Sequence, residues 1–290
     1  MANCIAGIDH VIVGVRDLEQ ARASYEGLGF RTTPRGRHVG WGTANYCIMF
    51  PDDYLELLGI VDPSKFTNDL DRFLEDREGL MALALRSSDA DGTHGAWRAA
   101  SLEPNPVGDL SRLLEPDVEL HFKNVMLPPE ATGGVPLFAC VHLTPEPMRR
   151  PEWLDHPNGA VAIASLTVAV EEPSALSAAM GRVFGTDNLT ETDDTLAVHT
   201  GHGMLLLATP DDFDMLHPEL EPLATDRMPA LAALTLAVRD PDRTADYFDR
   251  QDVAYRRNAA GALGVSPTDT HGVMLEFVGS AAARERSSLW

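Results

Sequence analysis

Residues 7–15 read Gly-Ile-Asp-His-Val-Ile-Val-Gly-Val, and this run of β-branched residues predicts a buried strand. His10 lies in the middle of the run, where an apolar strand offers no partner to its ring nitrogens. A second stretch, residues 54–58, reads Tyr-Leu-Glu-Leu-Leu and places Glu56 between leucines. Two ionisable side chains in apolar strands predict one shared site, for which another part of the chain has to supply a third member.

The region around these two stretches is predicted to form one β-α-β-β-β unit. Asp17 is placed to cap a helix, and apolar residues recur at three- and four-residue spacing from Leu18 to Leu28. Gly29 can end that helix in the left-handed conformation. The first strand is expected at 6–15, and further strands at 30–35, 39–50 and 54–60.

The same pattern returns along the chain. Residues 238–241 match 15–18 in opening a helix, and residues 274–278 match the strand at 54–58. A third unit lies within 163–208, and a fourth, weaker one lies within 80–143. The repeats predict an α+β fold of four βαβββ units, paired into two curved sheets.

The predicted repeats divide the chain into two domains. Residues 1–145 form the N-terminal domain with the candidate site, and residues 161–290 form a second domain that has lost its site residues. The segment between them, residues 146–160, is rich in proline and is predicted to be a linker.

Composition narrows the class of partner. The chain has 290 residues and a net charge of −21, from 44 acidic and 23 basic side chains, which argues against nucleic acid and anionic membranes. It contains neither a membrane-length apolar run nor a signal-peptide pattern, and its three cysteines form no disulfide framework. We therefore expect a cytoplasmic monomer or homodimer that binds a small molecule.

Residues 36–45, Gly-Arg-His-Val-Gly-Trp-Gly-Thr-Ala-Asn, followed by the Glu56 strand, resemble the glyoxalase-like domain family. The first strand, the Arg-Asp helix start and the last strand with its glutamate resemble the wider vicinal oxygen chelate superfamily of glyoxalases, bleomycin-resistance proteins and extradiol dioxygenases. The wider resemblance covers nearly the whole chain through its repeats, and the narrower one covers about the first 145 residues.

The resemblance implies a metal site. His10 matches the ligand of the first strand and Glu56 the ligand of the last strand, while the first-strand position of the second repeat falls near Ala82. In the last strand of that repeat Phe138, Cys140 and His142 share one face, so His142 is the expected third ligand, with His121 as its rival. Two imidazoles and a carboxylate suit one divalent ion such as iron(II), manganese or zinc. Ring-cleaving relatives instead take both histidines from first strands.

The hairpin around the glyoxalase-like motif is expected to border the same concave face. His38 is a candidate acid or base, as is Glu56, which could alternatively pair with Arg37 without a metal. Turn formation is the other interpretation, because Gly36, Gly40 and Gly42 lie there. The candidate substrate-binding residues are Arg37, Trp41, Thr43, Asn45 and His121.

The C-terminal repeats lack the equivalents of the site residues. Ser165 and Ala233 fall where His10 would be, and Leu206 falls where Glu56 would be. Glu276 remains and is expected to be structural. His202 and His217 lie beside glycine, acid or proline and are expected at the surface.

Two functions from different classes follow. The first is a metal-dependent vicinal oxygen chelate enzyme acting on a small oxygenated compound, as an iron(II) dioxygenase or as an isomerase or lyase. The second is a metal-free small-molecule binding or resistance protein of the same fold.

Overall fold

The computed structural model describes residues 4–192, 195–218 and 227–281. Its N-terminal half contains two βαβββ modules in succession, joined by a short helix. The elements are β1 (Ile5–Val15), α1 (Leu18–Gly27), β2 (Gly36–His38), β3 (Thr43–Met49), β4 (Tyr54–Ile60), α2 (Leu70–Asp76), β5 (Gly79–Ser87), α3 (Ala90–Ala99), β6 (Gly108–Glu115), β7 (Val118–Met126) and β8 (Leu137–His142).

Two further modules form the C-terminal half, so the α+β fold of four βαβββ repeats is confirmed. The elements are α4 (Pro151–Leu154), β9 (Ala160–Ala169), α5 (Pro173–Phe184), β10 (Leu189–Glu191), β11 (Thr195–His199), β12 (Met204–Ala208), α6 (Pro210–Leu216), β13 (Ala230–Val238), α7 (Pro241–Arg250), β14 (Arg256–Arg257), β15 (Leu263–Val265) and β16 (Met274–Gly279).

One predicted strand is wrong. Residues 30–35 are irregular, although Thr33 N donates a backbone hydrogen bond to Cys47 O. Pro34 follows at once, and a proline provides no N–H to continue a ladder. The strand therefore begins only at Gly36.

The two halves use the same pairing and differ in closure. The N-terminal strands form a closed barrel in the order β1-β4-β3-β2-β6-β7-β8-β5, and the C-terminal strands form an eight-stranded open sheet. In each half the two first strands pair antiparallel, and each pairs in parallel with the last strand of its own module. The pairing of β2 with β6, Arg37 with Leu113 and His38 with Arg112, closes the barrel.

A shared apolar core holds the halves together. It contains buried side chains from both, such as Trp97, Tyr25, Phe184 and Phe277. At the join, Ile8 N donates to His202 O at 2.8 Å, and the neighbouring Gly7 has φ +142°. A Cβ at Gly7 would lie 2.6 Å from the Cβ of His202, so this close approach requires glycine.

The segment from 146 to 160 is packed against the fold. It contains α4, and Trp153 and His156 within it are buried. The His156 ring bridges Arg31 N and Met49 O, at 3.0 and 2.9 Å. The division of the chain into 1–145, 146–160 and 161–290 stays a prediction. Within the described residues, the structure contains no helix that is both long and apolar enough to span a membrane.

Candidate metal and substrate site

The barrel encloses a cavity of about 320 Å³. Its wall is largely apolar and aromatic, which suits a small organic molecule. A group of polar side chains interrupts this wall. This group includes His10, His38, Glu56, Arg112 and Asn124.

His10 is oriented by its neighbour Asp9. The register of β1 against β5 shifts between Ile8 and His10, so Asp9 lies in a bulge and both side chains turn into the interior. Asp9 Oδ2 lies 2.6 Å from His10 Nδ1, while Tyr54 stacks on the imidazole with ring centroids 4.4 Å apart. The remaining nitrogen, Nε2, faces Glu56 at 3.6 Å from its Oε2.

Asp9 is also in hydrogen-bond contact with His142. Its Oδ2 lies 3.0 Å from His142 Nε2, so one carboxylate oxygen contacts two imidazoles. Burial would raise the pKa of Asp9, but His142 and His10 outweigh that cost and lower the pKa well below its usual range. Asp9 is therefore ionised, so the N–H at His10 Nδ1 donates to its Oδ2.

Glu56 is fully enclosed by polar partners. Asn45 Nδ2 donates to its Oε1, and His38 Nε2 lies 3.8 Å from the same oxygen. Burial would raise the pKa of this carboxyl, but His38, His10 and Arg112 outweigh it, and the pKa falls below its usual value. Glu56 is thus a buried carboxylate that keeps its charge.

His38 stands on the other side of Glu56 from His10. Its Nδ1 lies 2.8 Å from the hydroxyl of Thr43, and Trp41 packs against the ring. Burial lowers the pKa of His38 to about 4, only partly offset by Glu56. The ring is neutral at pH 7 and presents Nε2 to the carboxylate.

The expected triad of His10, Glu56 and His142 is not assembled. In the parallel pairing of β5 with β8, Ala84 lies opposite Phe138, just as Ile12 lies opposite Glu56. Phe138 therefore occupies the position equivalent to Glu56, and His142 falls four residues further along the strand. Among the described residues, the group of possible ligands within 4.8 Å of one another is Asp9, Cys140 and His142.

Two predicted substrate-binding residues lie away from the cavity. Arg37 is exposed, because it alternates with Gly36 and His38 on β2. His121 is exposed on β7, and its Nδ1 lies 3.0 Å from Ser111 Oγ. The structure places Trp41 in the cavity wall, while Thr43 and Asn45 act behind it through His38 and Glu56.

Arg112 and Asn124 were missed by sequence reasoning. Arg112 is 2% exposed and lines the cavity beside His38, its partner across the β2–β6 ladder. Its Nη1 donates to Cys47 Sγ at 3.0 Å. The segment 109–114, Asp-Leu-Ser-Arg-Leu-Leu, carried a weak signal, since it places a cation among leucines.

The family model for the glyoxalase-like domain matches residues 8–184. The chain belongs to the glyoxalase-like domain family. The match covers the barrel from Ile8 onward, together with β9 and α5 of the C-terminal half. No curated protein matches this glyoxalase-like chain in sequence.

Solved structures share the fold. A hypothetical protein from Staphylococcus aureus aligns over 94% of this chain and 98% of its own, with 13% identity and a TM-score of 0.69. A xylose isomerase-like TIM barrel/4-hydroxyphenylpyruvate dioxygenase fusion protein aligns over 100% of this chain and 52% of its own, with 16% identity and a TM-score of 0.57. The fold of this glyoxalase-like protein is that of the vicinal oxygen chelate superfamily, and at these identities the likeness concerns the fold alone.

The C-terminal half of the glyoxalase-like chain retains one acid at an equivalent position. The pairing of Thr235 with Glu276 repeats that of Ile12 with Glu56. Glu276 accepts a hydrogen bond from Thr235 at 3.1 Å, and its Oε2 lies 3.4 Å from His217 Nδ1. His217 was expected at the surface and is instead buried, because α6 folds over the sheet.

Proposed function

We propose that this protein is a metal-dependent vicinal oxygen chelate enzyme that binds a small oxygenated organic substrate in the barrel cavity. The observation that carries the proposal is the contact between His10 and Glu56. Asp9 contacts His10 Nδ1, and the other ring nitrogen, Nε2, faces an ionised carboxylate 3.6 Å away. A ring nitrogen and a carboxylate oxygen at this distance can both coordinate one cation.

Each imidazole, taken with Glu56, lies within reach of one shared divalent ion. Two ligand atoms that each lie about 2.1 Å from one ion are at most about 4.2 Å apart. His10 Nε2 lies 3.6 Å from Glu56 Oε2 and His38 Nε2 lies 3.8 Å from Glu56 Oε1, so each of these two distances is within the limit. The ligand atoms of His10, His38 and Glu56 do not all lie within 4.8 Å of one another, so holding one ion together requires the two imidazoles to turn toward each other. We propose His10, His38 and Glu56 as the ligands.

Supporting residues strengthen this assignment. A ligating histidine usually donates its second N–H to a carboxylate, and Asp9 provides one to His10. Asn45 fixes Glu56, and Thr43 fixes His38. His142 then acts through Asp9, by keeping that carboxylate ionised, rather than as a ligand beside Glu56.

The residues also suggest how the chemistry is divided. A bound divalent ion would supply Lewis-acid polarisation of a substrate oxygen. Glu56, ionised at pH 7, is placed to accept a proton from a bound substrate. The apolar wall excludes water around them.

The group of Asp9, Cys140 and His142 is the competing donor set. Burial raises the pKa of Cys140 well above its usual value, so coordination through this sulfur requires the loss of a firmly held proton. Asp9 Oδ2 is already in contact with both imidazoles. We therefore favour the set around Glu56.

Elemental analysis tests the proposal. The full chain is purified without chelators, loaded in turn with iron(II), manganese and zinc, and freed of excess ion. We expect about one ion per chain in the unaltered protein and in Cys140→Ser, and under about a tenth of that in Glu56→Gln, because Gln removes the anionic ligand.

Two outcomes would contradict this account. Loss of the ion in Cys140→Ser with retention in Glu56→Gln would assign the metal to the competing set. Failure of the unaltered chain to retain any of the three ions would favour the metal-free binding protein. Oxygen uptake with a catechol panel under iron(II) then separates dioxygenase from isomerase or lyase chemistry.

A further inference from the structure

Arg112 presents an unpaired edge of its guanidinium inside the barrel. Its Nε and Nη2 are buried and have no hydrogen-bond partner among the described residues. These two atoms form the side of the guanidinium that binds a carboxylate through two parallel N–H···O bonds. Buried polar groups are nearly always bonded, so an unpaired edge on a side chain that lines the cavity indicates a missing ligand.

The surroundings of Arg112 leave its charge uncompensated by close contact. Nη1 donates to Cys47, whose thiol is neutral because burial raises its pKa to about 11. The guanidinium carbon lies 5.6 Å from the centroid of the Phe122 ring, which holds the plane of the group. Glu56, the nearby anion of the cavity, is already contacted by His10, His38 and Asn45.

A second unpaired atom belongs to another side chain of the cavity wall. Asn124 lines the cavity from β7, and its buried Oδ1 has no hydrogen-bond partner among the residues that the structure describes. A carbonyl oxygen of this kind accepts a proton from a hydroxyl or an amine. The cavity thus offers an anion-binding edge and a separate acceptor, with apolar wall between and around them.

We propose that the substrate is a small carboxylic acid with an apolar body, whose carboxylate binds the Nε–Nη2 edge of Arg112 and whose hydroxyl donates to Asn124 Oδ1. This inference rests on the proposed function for the reaction, although the binding contacts involve neither the ion nor its ligands. The proposed substrate is thus an anion. Its carboxylate anchors it at Arg112, and a different part of the molecule reacts near Glu56.

The test uses a pair of probes that differ in charge and little in shape, benzoate and benzamide. Binding to the full-length protein, freed of metal by dialysis against a chelator, is measured by isothermal titration calorimetry. Benzoate is expected to bind at least about tenfold more tightly than benzamide, since hydrogen bonds to a charged group are stronger than neutral ones. 3-Hydroxybenzoate is expected to bind more tightly still.

Variants locate the effect. Arg112→Met, which keeps an unbranched side chain and removes the guanidinium, is expected to bind both probes equally. Arg72→Met, at a side chain 80% exposed on α2, is expected to keep the preference for benzoate. Asn124→Leu is expected to remove the added affinity for 3-hydroxybenzoate and to leave the benzoate preference in place.

Equal affinity for the two probes, or no binding of either, would overturn the inference. This decision is made on the unaltered protein, so it stands even if Arg112→Met does not fold. Persistence of the preference in a folded Arg112→Met would overturn it as well. The calorimetry uses metal-free protein, so its outcome is independent of the test for ion retention. Selectivity for benzoate in a chain that retains no ion would reject the proposed enzyme and keep the anion site. Retention of an ion without selectivity for benzoate would reject the anion site and keep the proposed enzyme.

Discussion

The closed barrel and the open C-terminal sheet have the same strand registers but different contents. His10 and Tyr54 are paired in one, and Ala233 and Met274 occupy the same places in the other. The bulge at Asp9 also recurs, since the register of β13 against β9 shifts between Leu231 and Ala233. The strand register and the bulge are thus present in both halves, whereas the ionisable side chains at these positions are present only in the N-terminal half.

The glutamates make the difference concrete. Glu56 borders a cavity, whereas Glu276 is covered by the chain itself through His217. Phe213 of α6 packs in one cluster with Ala232, Ala233 and Met274. A buried carboxylate on the last strand is therefore insufficient for a site, because the face in front of it must also be left open.

The largest effect we expect comes from opening the C-terminal face. Phe213→Ala should lower the free energy of unfolding by about 3–5 kcal/mol, because a buried phenyl ring is replaced by a cavity. Urea denaturation measures the loss. Phe66→Ala is the matched control, since Phe66 borders the barrel cavity with 58% of its surface exposed, and should cost under about 0.5 kcal/mol. Equal losses would refute the contrast between a filled and an open face.

Acid should destabilise the barrel side through two buried histidines. Burial lowers the pKa of His38 and of His156 to about 4, from an ordinary 6.5. Between these values the unfolded chain binds more protons than the folded one. Stability is therefore highest above pH 6.5 and is lost as the pH falls toward 4, by about 3 kcal/mol for each histidine.

Urea unfolding of the metal-free protein at several pH values measures this loss. His156→Gln, which lies outside the proposed ligand set, should reduce the slope in that window by about half, and His38→Gln should reduce it similarly. A stability that stays constant between pH 6.5 and 4 would contradict the assignment of both rings as buried and neutral.

Removing the charge behind His10 should have a smaller effect. Asp9→Asn keeps the shape of the side chain and removes its charge, and it should weaken metal binding by about 10–100-fold. The equivalent residue in the C-terminal half is Ala232. Competition with a chromogenic chelator measures the dissociation constant. His142→Asn should act in the same direction and less strongly. Unchanged affinity in Asp9→Asn would remove Asp9 from the support of the site.

The smallest effect tests what the halves share. Asp17 and Asp240 cap α1 and α7 by accepting two backbone N–H groups each. Asp17→Ala and Asp240→Ala should each cost about 1 kcal/mol. Asp89 precedes α3 without a side-chain cap bond, so Asp89→Ala should cost less than about 0.5 kcal/mol. Thermal unfolding of the three variants measures these costs. A larger loss of stability in Asp89→Ala than in the other two variants would contradict the equivalent capping roles of Asp17 and Asp240.

Strand periodicity was sufficient to find the repeats and the two central residues. His10 and Glu56 stand out because ionisable groups are rare in apolar strands, and the observed registers confirm that Ser165 and Ala233 match His10. Leu206 likewise matches Glu56, since it lies opposite Thr167 as Glu56 lies opposite Ile12. These positions are set by local sequence pattern, which a single chain displays.

The remaining site residues depend on features that alternation does not encode. Asp9 should point away from His10 in a regular strand, and a bulge reverses it. The sequence does not reveal the register of β8 against β5, and His142 was therefore expected beside Glu56. The structure places Phe138 at the position equivalent to Glu56. Arg112 joins the site through barrel closure, which brings β6 beside β2.

Anomalous diffraction from crystals of the full chain grown with zinc tests the central claim most directly. Data collected at the zinc edge locate the ion without reference to any activity. The account predicts a peak inside the barrel, bordered by His10, His38 and Glu56, and none beside Glu276. A peak bordered by Asp9, Cys140 and His142, or one at Glu276, would contradict it.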